Sequence, residues 1–150
     1  ASIIRLGTIF GTSKGMRFHT AINKFCWQAV LGKPLTVWKT ALNQKRPYLG
    51  LNDAINCIDF FLQRELFDGE IYNVVTSNYT VKQVIECIKK NVDELQIDFV
   101  NDKIMNQLSY EVSTKKIESL GFAFKDNLED GIKQTISLLS NSQSTSDKNN

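Results

Sequence analysis

Arg46 is the side chain in these 150 residues whose type and setting best suit it to grip a ligand. It closes a Lys45-Arg46-Pro47 corner between a short apolar strand, Leu35 to Trp38, and a second strand, Tyr48 to Leu51, within the stretch GKPLTVWKTALNQKRPYLGLNDA. A guanidinium is a planar fork of donors that meets a phosphate through two hydrogen bonds, so an arginine at the mouth of a strand pair suits a diphosphate better than a lysine. On residue type alone a solvated loop cation is the commoner outcome. His19 is the single histidine. With no second ligand and no evident nucleophile to serve, it is expected at the surface or at a helix cap. Gly7, Gly11 and Gly15 are four apart. That is neither a dinucleotide nor a phosphate-loop spacing, and they read as turn and strand-end glycines. Cys26, Cys57 and Cys87 make no CxxC pair and an odd count. They read as small buried apolar residues in a reducing compartment, without a disulfide framework or a metal site.

The elements that must position Arg46 can be read from periodicity. Ala1 to Phe10 is an apolar β-rich run, expected as one buried strand; the chain starts inside it, which hints at partner strands upstream. Thr20 to Leu31 carries Ala21, Ile22, Phe25, Cys26, Ala29 and Val30 on one helical face, stopped by Gly32 and Pro34. Asn52 is expected to cap a helix that turns Ile55, Ile58, Phe61 and Leu62 inward and ends near Asp68-Gly69. Glu70 to Val75 should be a strand, and Thr80 with Gln83 a capping box ahead of Val81, Val84, Ile85 and Ile88. A strand at Ile97 to Val100 precedes a polar loop, Asn101 to Glu111, of the kind that binds ligands when held on a rigid scaffold. Short and long helices, Ser113 to Leu120 and from Asn127 onward, follow, the second with Leu128, Ile132, Ile136 and Leu139 inward. Residues 1–140 form the packed part. Residues 141–150 offer nothing apolar to bury and are expected to be disordered. Alternating strands and helices give an α/β class, a small mixed lobe carried on a larger sheet.

Composition narrows the function classes. A net charge of +2, from 18 basic and 16 acidic residues, lacks the basic stripe that nucleic acid requires. No segment has the length and apolarity of a membrane span, and the N-terminus lacks a signal-peptide pattern, so the cytoplasm is the expected location. The Asn78-Tyr79-Thr80 sequon would need a secretory route that nothing else supports.

Four blocks resemble the C-terminal half of the extended short-chain dehydrogenase/reductases, the NAD-dependent nucleotide-sugar epimerases and dehydratases. Arg5-Leu6-Gly7-Thr8-Ile9-Phe10-Gly11 is similar to that family's R-x-x-N-x-Y-G-P strand; Gly32 to Trp38, with Arg46-Pro47-Tyr48 and Asp53, to G-K-P-L-x-V-x-G and R-D-x-x-x-V-x-D. Gly69 to Val74 is similar to G-E-x-Y-N-V-G. Leu120-Gly121-Phe122 with Leu128-Glu129-Asp130-Gly131-Ile132 is similar to L-G-[WF]-x-P followed by L-x-E-G-[LI]. Four blocks in order reverse the balance for Arg46.

The resemblance implies the last strands of a Rossmann-type sheet plus the small mixed α/β substrate-binding lobe. It implies a nucleotide-diphosphate sugar as ligand, NAD or NADP as a cofactor held mainly by an N-terminal Rossmann half, and leaves room for a homodimer. Carried over residue by residue, Arg46 grips the diphosphate, Leu35, Val37 and Trp38 belong to the strand flanking the nucleotide base, and Thr8 stands at the Asn that bonds the sugar-diphosphate. Lys103 and Asn106 fall near the ribose and phosphate end. Pro47, Gly50 and Trp38-Lys39 depart from the usual Asp, His and aromatic-Gly. No Tyr-x-x-x-Lys and no GxxGxxG occur in the chain, so no catalytic residue is assigned to it. A nucleotide-binding module without chemistry and a plain scaffold are the competing readings.

Overall fold

The computed structural model describes residues 1–101 and 109–146, the last four as backbone only. The opening apolar run is two strands rather than one: β1 (Ile3–Leu6) and β2 (Thr8–Phe10) separate at Gly7 and join different sheets. Strand β1 pairs in parallel with β5 (Ile71–Val74), while β2 pairs in parallel with β4 (Lys45–Gly50). The other edge of β4 takes β6 (Ser77–Thr80) antiparallel, a strand that its polar composition, SNYT, does not announce. Strand β3 (Leu35–Trp38) pairs in parallel with β7 (Ile97–Val100), both at their expected bounds.

Five α-helices connect and cover these strands: α1 (Ala21–Val30), α2 (Leu51–Gln63), α3 (Val81–Lys89), α4 (Lys115–Ser119) and α5 (Leu128–Ser146). Two cores result, and β4 feeds both, because successive residues of a strand face opposite sides. Tyr48 joins Phe10, Ile22, Phe25, Leu35, Val37, Ile88 and Ile132, under α1, α3 and α5. Leu49 joins Cys57, Phe61, Tyr72, Val74, Ile117 and Phe122, under α2 and α4. Helix α5 is drawn against Phe10 at Gly131, where a Cβ would lie 2.4 Å from the ring. The Thr80–Gln83 capping box forms as expected, with Gln83 N donating to Thr80 Oγ1 at 3.1 Å and Thr80 N to Gln83 Oε1 at 2.8 Å.

Three local expectations are corrected. Helix α2 turns Ala54, Cys57 and Phe61 inward, and Ile55, Ile58 and Leu62 stay 56%, 48% and 60% exposed. Its sequence is apolar on two faces, and period alone cannot choose between them. The helix ends at Gln63, ahead of the expected Asp68-Gly69, and Asn52 lies inside it. Helix α5 runs on to Ser146. The last apolar side chain on it is Leu139, so the turns beyond lie where sequence patterning alone foresaw none; residues 147–150 are outside the described residues.

The cap that Asn52 was expected to supply comes instead from 73 residues away. Asp126 Oδ2 accepts from Asp53 N at 3.0 Å, at the N-terminus of α2 where a carboxylate is favoured. Asp53, fully buried, answers by accepting from Lys125 N at 2.8 Å, Asp126 N at 3.1 Å and Thr76 Oγ1 at 2.7 Å. Gly50 leaves room for this exchange, since a Cβ there would sit 2.2 Å from Asp126 Oδ2. Asp53→Ala should cost the full-length protein about 2–4 kcal/mol, because buried donors lose their acceptor. Gly50→Ala should cost about 1–2 kcal/mol by displacing the cap. Urea midpoints check both, and an unchanged midpoint for Asp53→Ala would mean the exchange contributes nothing.

A second polar tie holds the start of β1 to β5. The Asp68 carboxylate accepts from the Tyr72 hydroxyl, from Glu70 N at 3.0 Å and from Ser2 Oγ at 2.8 Å. The Tyr72 bond, then the Glu70 N–H, hold the Asp68 carboxyl at about 2, below its ordinary 3.8; the same bond pushes the Tyr72 phenol up to about 12. A depressed carboxyl stabilises the fold above its unfolded value and loses that contribution as pH falls from about 3.8 to about 2. Tyr72→Phe should therefore flatten the decline of stability across that acid window. Thermal melts of parent and variant from pH 5 to pH 2 test it, and parallel curves would exclude the tie as the cause.

Candidate functional site

Arg46 stands at the outer end of β4, paired with Tyr79 of β6. Its Nη1 donates to the Lys45 carbonyl at 3.0 Å and its Nη2 to Gln44 Oε1 at 2.9 Å, and the guanidinium lies 5.3 Å from the centre of the Tyr110 ring. Tyr110 is brought there because Ser109 Oγ accepts from Lys45 N at 2.9 Å, Lys45 and Glu111 form an ion pair, and Val112 N donates to Asn78 Oδ1 at 2.9 Å. The end of the polar loop, from Ser109 to Glu111, and Val112 after it are thus laid across the end of β4. Arginine stacks well on an aromatic face, and a stacked, hydrogen-bonded guanidinium is oriented rather than free to wander.

Arg46 lines a cleft of about 310 Å³ with His19, Lys24, Phe25, Thr36, Val37, Trp38, Gln44 and Tyr48 among its walls. Among the described residues, three basic side chains and three aromatic rings line it, and no carboxylate does. Tyr48 is buried, which raises its phenol above the ordinary 10 against the opposing pull of the Arg46 charge, so it stays neutral and is no base. Trp38 is 41% exposed and offers its ring to the cleft.

The N-terminus of α1 closes the same cleft. Thr20 has extended backbone (φ −92°, ψ 148°), its side chain makes no cap bond, and the first turn holds no acidic residue. The first backbone N–H bonded within this end of the helix is Lys24 N, to Thr20 O at 2.9 Å. An uncapped, ten-residue helix leaves N–H groups and the positive end of its dipole for an anion. Ala21 and Lys24 of this turn line the cleft with Arg46; Thr20 and Asn23 line an adjoining groove of about 530 Å³. His19, one residue before the cap, borders both.

The expected ligand residues divide between these spaces. Arg46, Val37 and Trp38 share the cleft. Thr8 lines the adjoining groove, with Gly7, Arg17, His19 and Thr20. Leu35 lines neither: it is wholly buried in the core, and its N–H donates to Gln96 O at 2.8 Å. The alternation along β3, in which Leu35 and Val37 point in, makes Leu35 a packing residue. Lys103 and Asn106 lie outside the described residues, though Val100, two residues before residue 102, pairs with Trp38, and Ser109 binds Lys45. Sequence reasoning passed over Lys24, Tyr48, Tyr110 and the α1 terminus. Thr20 ahead of a periodic apolar run was the available sign of a helix end.

Among the described residues no group of three His, Cys, Asp or Glu side chains could hold a metal, and no helix is long and apolar enough to cross a membrane. Burial pushes the Cys26 thiol up to about 12 and Cys57 to about 11, so neither is a nucleophile.

The order of strands and helices is that of the extended short-chain dehydrogenase/reductases. A UDP-glucose 4-epimerase from Thermus thermophilus, in complex with NAD, superposes with a TM-score of 0.78 at 18% identity, over 92% of this chain and 46% of that one. A UDP-glucuronic acid 4-epimerase from Bacillus cereus, in complex with UDP-glucuronic acid and NAD, does so with a TM-score of 0.77 at 18% identity, over 94% and 45%. The chain belongs to the NAD-dependent epimerase/dehydratase family, whose model matches residues 1–74. Among relatives, the UDP-sulfoquinovose synthase of Sulfolobus acidocaldarius is 30% identical over 125 residues, 78% of this chain and 32% of that protein. The dTDP-D-glucose 4,6-dehydratase of Mus musculus is 36% identical over 103 residues, 62% of this chain and 28% of that protein. The chain therefore spans about a third of these relatives and just under half of those solved structures.

Iodoacetamide at pH 8 should label Cys87, which is only half-buried, well before Cys26 or Cys57 in the folded full-length protein. Peptide mapping reads this directly, and early labelling of Cys26 would contradict its burial.

Proposed function

We propose that this chain is the nucleotide-sugar-binding portion of an NAD-dependent sugar epimerase or dehydratase acting in sugar or cell-surface polysaccharide biosynthesis, with residues 1–140 as the substrate-binding part. The observation that carries this reading is the cleft itself: Arg46, Lys24 and the open N-terminus of α1 face one space walled by Trp38, Phe25 and Tyr48, with no carboxylate among the described residues that line it. Cations and helix N–H groups suit a diphosphate, and aromatic walls suit a base. The named relatives act on UDP- and dTDP-linked sugars, in keeping with such a ligand.

Two parts of the chain's own residues divide the task. Arg46, oriented by Gln44 and Tyr110, holds the phosphates, while Trp38 and the β3 backbone border the base. Thr8 offers one hydroxyl to the sugar end, where an amide would offer more bonds.

The residues present do not fit NAD. Two strands run straight into α-helices among the described residues: β4 into α2 at Gly50, where the Asp126 carboxylate already occupies the helix N-terminus and would repel a pyrophosphate, and β6 into α3 at Thr80, where the Thr80–Gln83 capping box occupies it. On this reading NAD or NADP, the hydride carrier of the reaction, is held mainly by the N-terminal half of the family fold. The three unpaired thiols fit a cytoplasmic protein.

In the full-length protein Arg46→Ala should weaken nucleotide-sugar binding by about thirtyfold or more, since losing one partner of a desolvated charge pair costs about 2–5 kcal/mol. Arg46→Lys should restore part of it, keeping charge but not the fork. Calorimetry with UDP- and dTDP-glucose, and with NAD as control, checks this. Parent-like affinity in Arg46→Ala, or equal loss of sugar nucleotide and NAD, would remove Arg46 from the site.

A further inference from the structure

We propose that Asn23 is a ligand-contact residue whose side-chain oxygen accepts a hydrogen bond from a hydroxyl of the sugar. This rests on the nucleotide-sugar reading above and adds to it the residue that reads the sugar end. Asn23 lies in the first turn of α1, is 4% exposed, and lines the groove that also holds Thr8, Arg17, His19 and Thr20. Its Nδ2 donates to the Arg17 carbonyl at 3.1 Å. That bond fixes the orientation of the amide, because the reversed side chain would set two acceptors against each other. The Oδ1 atom is left buried with no partner among the described residues.

A buried amide oxygen without a donor is costly, and a chain that keeps one calls for an explanation, such as a bond supplied from outside. The missing partner must be a donor, which narrows the ligand group to a hydroxyl or an N–H. Phosphate oxygens and a pyranose ring oxygen are acceptors and cannot meet the demand. A sugar hydroxyl can. The groove, about 530 Å³, adjoins the Arg46 cleft across His19, so a ligand with its diphosphate at Arg46 and the α1 terminus can extend its sugar past Thr8 toward Asn23.

The test compares sugar-bearing and bare nucleotides by calorimetry on the full-length parent and its Asn23→Ala and Asn23→Asp variants, with UDP-glucose against UDP and dTDP-glucose against dTDP. Asn23→Ala should weaken the nucleotide-sugar by about tenfold while leaving the bare diphosphate nucleotide and NAD within about twofold of the parent. Asn23→Asp keeps an acceptor in place but cannot donate to the Arg17 carbonyl, and should retain more of the sugar's contribution than Ala does. Parent-like affinity in Asn23→Ala overturns the proposal. So do equal losses for nucleotide and nucleotide-sugar, or an Asp variant no better than Ala, since both mark a residue that only anchors the Arg17 loop. A loss confined to NAD would assign the oxygen to the cofactor and overturn it too. Should Asn23→Ala fail to fold by thermal melt, Asn23→Asp decides alone: a loss of less than about threefold with the sugar supports the proposal, and a tenfold loss defeats it. If the parent binds neither nucleotides nor nucleotide-sugars, the Arg46 reading fails first and this one with it; if it binds both and the variants do not discriminate, only this one fails.

Discussion

Strand β4 is the member on which the rest of the structure depends. Both its edges are paired, by β2 and β6, and both its faces are buried, Tyr48 in one core and Leu49 in the other. A strand so enclosed cannot shift register without turning its buried side chains outward. Its Lys45–Arg46 end is therefore a fixed point, and the cation placed there keeps one position relative to α1 and β3. The site borrows its precision from that strand, and its charge from Arg46, Lys24 and the uncapped helix end.

The two cores divide the labour. The one under α1, α3 and α5 shapes the cleft, since Phe25, Val37 and Tyr48 belong at once to its packing and to the cleft wall. The other, under α2 and α4, holds β5 and the strand end carrying Ser2 and Asp68. A mutation in the first alters ligand space directly, whereas one in the second reaches the site only by loosening β4.

Much of this was legible in the residues. The β3 and β7 bounds, the capping box at Thr80, and the placing of all three cysteines on helices follow from patterns that act within a few residues. So do Arg46, Val37 and Trp38 as neighbours, because a strand, a short loop and a second strand force proximity. What was not legible is what depends on distant partners. The face of α2 that is buried was decided by Tyr72, Ile117 and Phe122, far away in the chain, and the helix's own two apolar stripes gave no preference. Leu35 and Thr8 were assigned to the ligand together with Arg46, yet strand alternation sends Leu35 into the core, and Thr8 opens on the neighbouring groove. Asn23 gave no signal at all, since an asparagine inside an amphipathic run reads as a surface residue until its burial is seen.

The reciprocal bonds between Asp53 and Asp126 impose an order of events on synthesis. Helix α2 is made early and Thr76 follows within 23 residues, but the cap and the two backbone donors to its buried carboxylate arrive only when Lys125 and Asp126 have left the ribosome, 72 and 73 residues after Asp53. Until then Asp53 must stay in water, and the turn from β4 into α2 with it. The segment following Gly121 is thus the closing stitch of the fold: a chain cut short ahead of it would carry the Arg46 strand and both its neighbours in sequence, yet lack the contact that seals them.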